Sequence, residues 1–527
     1  MKSLRRVFIH ILALLPAFPT LAQISPPMTV EEVRAVIAQA ATRALEISPK
    51  SVIAVVDREG FVLGVWSLRL DLPAFDTTPL LNFGNDVANA IAKAGTAAFL
   101  SSNEHAFTSR TAGFIVQQHF PPGVDNKPPG PLVGVNFSSL SFSDVNRYKG
   151  PPFGPALEGG TNGKSVPMPV TGGLIGSPGG VPLYRNGKLI GGIGVAGDGD
   201  NELAIQTEQV YDLDEDVALA GQMGFEPSKR ILGSHVFVDG IRFAYVNSST
   251  SLQNPKRLAD LPGKEVLPYT LRASSSVAYP PAVLGVVNGE IRQPIIDDPV
   301  PGLINGQPRL SAVEVSEILA AAALRAQRTR AGIRLPRGLP AQVFISVVNN
   351  PNASEPAAPM VLGTFRTPDA TIFSWDVAVQ KARTALFFSS NTRAFSSRTV
   401  GFLSQSLFPP GIIGTSPGIF LGLQEKFSQL PLGAVNPLNG AAVTAPPADD
   451  PNLPNGITIF PGGFPLYRNG VLIGAIGVSG DGVDQDDLIA ATGAGNYLPP
   501  DSIRADRFSY RGARLPFAKF PRNPSSF

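Results

Sequence analysis

The sequence predicts an α+β protein of two tandem domains, each an antiparallel sheet covered by helices. Three observations carry this. Residues 179–199, GGVPLYRNGKLIGGIGVAGDG, return as GGFPLYRNGVLIGAIGVSGDG at 462–482, and 17 of 22 positions are identical between 179–200 and 462–483. Residues 99–114 align without a gap on 387–402, with 11 of 16 positions identical. Each copy spans about 200 residues, long enough to bury a core of its own and too long for a stacking solenoid unit. The order of elements is the third observation: apolar runs joined by tight turns pair antiparallel, because parallel neighbours need a crossover.

Each copy opens with a capping box, Thr29 with Glu32 and Ser311 with Glu314, ahead of an alanine-rich helix. In the first copy Val33, Ile37, Ala40, Ala41 and Ala44 recur at helical spacing, so one face packs on a sheet. Two β-branched runs follow, 51–56 and 61–68, hinged at Asp57-Arg58-Glu59-Gly60. Their counterparts are 343–348 and 360–365, across a longer turn containing proline. Helical stretches are expected at 86–100 and 109–120, mirrored at 376–388 and 397–408. Pro121-Pro122-Gly123 and Pro409-Pro410-Gly411 end the second of each pair, since proline cannot continue the amide ladder. Asn186-Gly187 and Asn469-Gly470 then sit between apolar runs, the strongest short-range hairpin signal.

Residues 1–22 read as an export signal: Lys2, Arg5 and Arg6 precede an apolar 7–18, and Thr20-Leu21-Ala22 offers a cleavage site near Gln23. The run is shorter than the roughly 20 residues a bilayer needs and is interrupted by His10 and Pro16, so no integral membrane segment is expected after cleavage. Arg5-Arg6 leaves both general and twin-arginine export open. Domain boundaries are expected at 23–246 and 309–527, with 247–308, rich in proline and glycine, as linker. Taking Lys2, Arg5 and Arg6 from 43 basic residues leaves 40 against 41 acidic ones, so nothing favours nucleic acid. The chain has no cysteine, which excludes disulfides, thiolate metal sites and covalently attached c-type haem.

Val55-Val56-Asp57, the Lys-Ala-x-Thr-Ala helix at 93–97, a Gly-Gly-x-Pro strand, an Asn-Gly turn and Ile-Gly-x-Ile-Gly-Val-x-Gly together resemble the GlcG/HbpS-type haem-binding, or haem-degrading, family. Val347-Val348-Asn349, Lys381 to Ala385 and Ile473 to Gly480 repeat the pattern. Both copies depart from it where the family has Arg-Met-Asp-Gly-Ala: here stand Arg69-Leu70-Asp71-Leu72 and Arg366-Thr367-Pro368-Asp369-Ala370. The resemblance implies a compact α+β domain, self-association, and haem or another small ligand as partner. Fold-level likeness does not by itself establish an activity.

Haem iron needs an axial donor, and after signal removal the histidines are His105, His119 and His235, opposite Arg393, Leu407 and Arg507. His105, beside Arg110, is the candidate iron ligand. Tyr184 and Tyr467 share one place before the Asn-Gly turn and are candidates in both copies, against packing across the sheet. Lys93 with Lys381, and Arg110 with Arg398, are duplicated cations on apolar helices. They suit a ligand carboxylate, against the alternative of internal ion pairs. Residues 192–197 spell a dinucleotide fingerprint, but they follow a hairpin instead of opening a βαβ unit, so strand–helix packing explains their glycines. Asp198, Asp200 and Glu202, and Asp481, Asp484, Asp486 and Asp487, weigh calcium against stabilisation of a helix start. No catalytic set is duplicated. The leading expectation is an exported carrier or sensor holding haem or a similar flat apolar acid, its two copies packed about a pseudo-two-fold axis. The alternatives are an enzyme acting on haem or a small organic acid, and a cell-envelope scaffold.

Overall fold

A computed structural model describes residues 27–70, 86–116, 172–197, 210–267, 269–274, 279–352, 358–423 and 456–519, with scattered residues between 120 and 147. The export signal, His119 and the 198–202 acidic cluster lie outside the described residues.

In the first copy Thr29 accepts from the Glu32 amide and Glu32 from the Thr29 amide, closing the box that starts α1 (Val30–Ile47). Strands β1 (Val52–Asp57) and β2 (Val62–Ser67) form the first hairpin, then come α2 (Asp86–Leu100), α3 (Ser109–Ile115) and the short α4 (Asp144–Arg147). Strands β3 (Gly180–Arg185) and β4 (Lys188–Ala196) meet at Asn186 and Gly187, whose φ of 50° and 73° make the mirror-image turn that suits strand twist. Helix α5 (Leu213–Gln222) and a two-residue hairpin, β5 (Phe237–Val238) and β6 (Ile241–Arg242), complete the copy. One short strand, β7 (Lys264–Glu265), and a hairpin, β8 (Pro281–Leu284) with β9 (Val287–Gln293), follow.

The second copy repeats the order: α6 (Ala312–Arg328), β10 (Phe344–Asn349), β11 (Val361–Arg366), α7 (Ser374–Phe387), α8 (Ser397–Leu403), β12 (Gly463–Arg468), β13 (Val471–Ser479), α9 (Val483–Ala494), β14 (Ser509–Tyr510) and β15 (Ala513–Arg514). Ser311 and Glu314 cap α6 as expected. The sheets run β3-β4-β1-β2-β7 and β12-β13-β10-β11-β9-β8, with every pair antiparallel. Even the irregularities are duplicated: register slips by one at Leu183/Tyr184 and again at Leu466/Tyr467.

Each sheet lies between helices, and the glycine repeat sets how close they come. Gly194, opposite Ala54, faces α2, where a Cβ would overlap the Ala90 carbonyl; Gly477, opposite Ser346, stands the same way to the Ala378 carbonyl of α7. On the other face of the first sheet, Val33, Val36 and Ile37 of α1 and Val217 of α5 pack on Ile53, Val55 and Ile193.

Two expectations need correction. The stretch 247–308 is not simply a linker: β7 extends the first sheet beside β2, and β9 with β8 extends the second beside β11. Arg292 anchors that extension, fully buried with its guanidinium 3.6 Å from the Tyr279 ring centroid and paired with Glu290 and with Glu59 of the first copy. Helices α3 and α8 also end short of 120 and 408. The carbonyls of Ile115 and Leu403 accept from the Leu132 and Phe420 amides, so the insertions take over where the helix ladder would continue.

The copies do not pack as separate globules. The α2 side of the first sheet shares one buried apolar cluster with the second copy. Asp144 on α4 pairs with Arg383 of α7 at 2.7 and 3.2 Å, with the side chains 0% and 2% exposed. Asp376 of α7 in turn accepts from Ser138 Oγ and from the Ser139 and Val145 amides at 2.7–2.9 Å. Asp369 is held by Arg58 of the first copy and Arg334 of the second, at 2.6 and 2.7 Å. Among the described residues no helix is long and apolar enough to cross a membrane.

Candidate functional site

The four duplicated cations turn inward. Lys93 meets Asp214 at 2.8 Å, and Lys381 meets Asp486 and the Val478 carbonyl at 2.8 Å. Arg110 grips Glu215 through Nε and Nη2 at 2.8 and 3.1 Å, and Arg398 holds Asp487 at 2.8 Å and Asp484 at 2.7 Å. Each pair thus neutralises carboxylates at the start of α5 or α9, and for Asp214, Glu215, Asp484 and Asp486, which lie in the first turn, the helix dipole adds to this. That is the internal ion-pair alternative, and it leaves Lys93, Arg110 and Lys381 committed. It also accounts for the aspartates weighed as calcium donors: Asp484, Asp486 and Asp487 each take a cation of the chain. No group of three acidic or histidine side chains able to hold a metal occurs among the described residues.

His105 does not fit the role of axial ligand. Its side chain is fully buried; Nε2 lies 3.0 Å from the Leu100 carbonyl, which can only accept, so Nδ1 accepts from Ser102 Oγ at 2.8 Å. Burial, with the Arg334 charge nearby, holds the imidazole neutral down to about pH 3. No lone pair remains for iron. Tyr184 donates to the Ser102 and His105 carbonyls at 2.6 and 3.0 Å, and Tyr467 to those of Ser390 and Arg393 at 2.8 and 3.3 Å. Burial pushes both phenols well above their ordinary range, so neither supplies a phenolate at neutral pH. Each tyrosine instead pins the turn after α2 or α7 to its hairpin.

Among the described candidates Lys381 lines an inner chamber between the two halves and Arg398 lines an outer cleft. This cleft, about 680 Å3, falls within the range of small-molecule sites. Helix α8 contributes Arg398 and Phe402, the insertion before β12 contributes Phe460, and the segment after β15 contributes Phe517 and Lys519. That last segment is fixed from below: the Phe517 carbonyl accepts from Ser396 Oγ, its ring meets Phe464 edge-on at 5.3 Å, and the Lys519 amide donates to Asp487 at 2.9 Å. Arg514 stands at the rim, 59% exposed. The cleft therefore combines aromatic walls with Arg398, Arg514 and Lys519 against the single carboxylate of Asp506. Among the described residues of its lining there is no histidine, methionine or tyrosine, the usual axial donors to iron. In the first copy residues 244–248 pass the same place, taking bonds from Thr108 and Thr111 and giving two to Glu215. There Arg110 is fully buried, with Nη2 on the Val210 carbonyl.

Sequence reasoning missed Phe402, Phe460, Arg514, Phe517 and Lys519. The small third hairpin carries the one available signal: Phe237 pairs with Arg242 as Ser509 pairs with Arg514, a repeat too short and divergent to stand out.

Residues 354–495 match the family model HbpS-like, described as haem degrading protein HbpS-like. The corrinoid adenosyltransferase PduO of Salmonella typhimurium is 29% identical over 166 residues, 32% of this chain and 35% of that protein. An uncharacterized 15.0 kDa protein from the dhaT-dhaS intergenic region of Citrobacter freundii is 58% identical over 36 residues, 7% of this chain and 25% of that one. A crystal structure of a PduOC:heme complex aligns at 26% identity with a TM-score of 0.23, covering 36% of this chain and 96% of that one. The chain spans about a third of the length of PduO.

Proposed function

We propose, for a chain whose second half belongs to the GlcG/HbpS-type family, that the protein is an exported binding protein whose ligand is a flat apolar acid of porphyrin size. The cleft beside α8 carries this reading: Phe402, Phe460 and Phe517 offer ring faces, and Arg514 and Lys519 stand where ligand carboxylates would reach solvent. Haem enters through the family description alone, and the cleft lining favours the porphyrin plane and its propionates over the metal. Of the three cations Arg398 is divided between Asp484 and Asp487 and Lys519 also pairs with Asp484, which leaves Arg514, 59% exposed and 3.7 Å from Asp506, the most open to a ligand carboxylate.

The experiment is a parallel titration of the full chain with haemin and with metal-free protoporphyrin. Comparable affinity for the two, within about tenfold, is the expected result, since a lost iron bond would separate them by more than the 1.4 kcal/mol a tenfold ratio represents. Arg514→Ala and Lys519→Ala should each weaken both ligands by about three- to tenfold, the worth of a partly exposed charged contact. Binding of haemin alone would overturn the reading in favour of an iron ligand, and binding of neither would overturn it altogether. Loss of Soret absorbance under reductant and oxygen would transfer the protein to the haem-degrading class.

A further inference from the structure

A second chamber, about 270 Å3, lies between the two halves. Phe107, Phe237 and Phe243 of the first half face Phe373 and Phe460 of the second across it. It abuts the outer cleft, since Pro131, Phe460 and Val483 line both. Its polar wall is the turn leading into α9, where Asp481 and Asp486 are 2% and 3% exposed.

These two carboxyls are poorly compensated. Asp486 Oδ2 accepts from Lys381 Nζ, while Oδ1 is buried without a hydrogen bond of good geometry, although the Gly480 amide approaches the carboxyl. Asp481 accepts from the Gln342 amide at 2.5 Å, and the Arg334 Nε stands 4.0 Å away, itself buried without a hydrogen bond. Burial, outweighing the nearby Arg334 and Lys381 charges, raises Asp481 to about 7 and Asp486 to about 6. Buried carboxyls in this condition sit where a positive charge is wanted. The other charged lining groups are Lys381, buried and spent on Asp486, Asp484, occupied by Arg398 and Lys519, and the exposed Arg330.

We propose that this chamber binds a small organic ammonium ion, its charge on Asp481 and Asp486 and its apolar body against the phenylalanine rings. The proposal is independent of the ligand assigned to the outer cleft. A hard metal cation does not suit a site with so few oxygen donors and so much aromatic wall. An anion would meet three aspartates, with Lys381 already paired to Asp486 and only the exposed Arg330 to draw it, and a neutral guest would leave both carboxyls as they are. An ammonium answers the charge, and ring faces attract it further.

The test compares benzylamine with its uncharged analogue benzyl alcohol and with benzoate, by calorimetric titration of the full chain. Benzylamine should bind saturably, at one per chain, and about tenfold or more tighter than benzyl alcohol, with benzoate weakest. Asp481→Asn should remove about tenfold of the benzylamine affinity and leave benzyl alcohol unaffected. Val377→Phe fills the chamber from α7 without lining the outer cleft, and should abolish benzylamine binding while protoporphyrin binding persists. Benzylamine binding no tighter than benzyl alcohol, or surviving Val377→Phe unchanged, would overturn the proposal. The comparison of ligands on the unaltered chain stands even where a variant folds poorly.

Discussion

Replacing His105 by alanine separates a structural histidine from a haem ligand. The side chain is fully buried against Phe107, with ring centroids 4.8 Å apart, and bridges Leu100 and Ser102. Cutting a large buried side chain to alanine costs about 2–5 kcal/mol, and a backbone carbonyl left buried without its donor costs about 1–3 more. Ser102 Oγ keeps the Glu104 amide and Arg334 as neighbours, which limits the damage on that side. A net loss of about 4 kcal/mol is expected, a large part of the roughly 5–15 that stabilise a fold. Urea unfolding at pH 7.5, followed by the fluorescence of Trp66 and Trp375, measures it.

The same titration series carries a pH signature. His105 is neutral when folded down to about pH 3 but titrates near 6.5 when unfolded, so the unfolded chain binds the extra proton between those values. Its contribution is complete above 6.5 and is lost as the pH falls. The gap between the native chain and His105→Ala should therefore shrink by about 1.4 kcal/mol for each pH unit below 6.5. An unchanged unfolding midpoint combined with a lost or shifted Soret band would refute the structural role and restore the iron ligand.

Other perturbations test the frame around the sites. Arg383→Met leaves Asp144 buried and unpaired, so it should cost about 3–5 kcal/mol in urea unfolding, while adding Asp144→Leu should recover most of that loss; a cost under about 1 kcal/mol for the single variant contradicts the clamp between copies. Gly194→Ala and Gly477→Ala should each lower stability by about 1–3 kcal/mol or more, because the new methyl meets helix backbone, and a neutral result would mean the helices stand further off. Asp481 is raised to about 7 when folded, so its ionisation weakens the fold as pH climbs from its unfolded value towards 7. Asp481→Asn should accordingly gain stability over the native chain across that window and hold a constant advantage above it, as thermal melts from pH 4 to 8 would show.

Much of the scaffold was legible because its signals are local. The capping boxes at Thr29 and Ser311, the left-handed Asn-Gly turns and the hairpin at 57–60 depend on neighbours within a few residues. Helix ends at Ile115 and Leu403 were not legible, since the groups that replace the ladder come from residues 132 and 420. The candidate site was read less well. Lys93, Lys381, Arg110 and Arg398 stand out in the sequence as a duplicated set, but a cation on an apolar helix looks the same in sequence whether it awaits a ligand or an aspartate on the next helix. Phe460 and Lys519 belong to segments with no periodicity to mark them.

By itself the sequence determined the doubled order of elements, the antiparallel pairing and the glycine-lined seat of one helix on each sheet, because short-range geometry and internal repetition specify all three. Only the tertiary structure decided that 247–308 adds strands to both sheets, that the copies share a core, and that the cleft opens beside Arg398 while Arg110 is sealed. Those outcomes turn on which distant group reaches a charge or an apolar face first, and burial of that kind is a property of the whole packed chain.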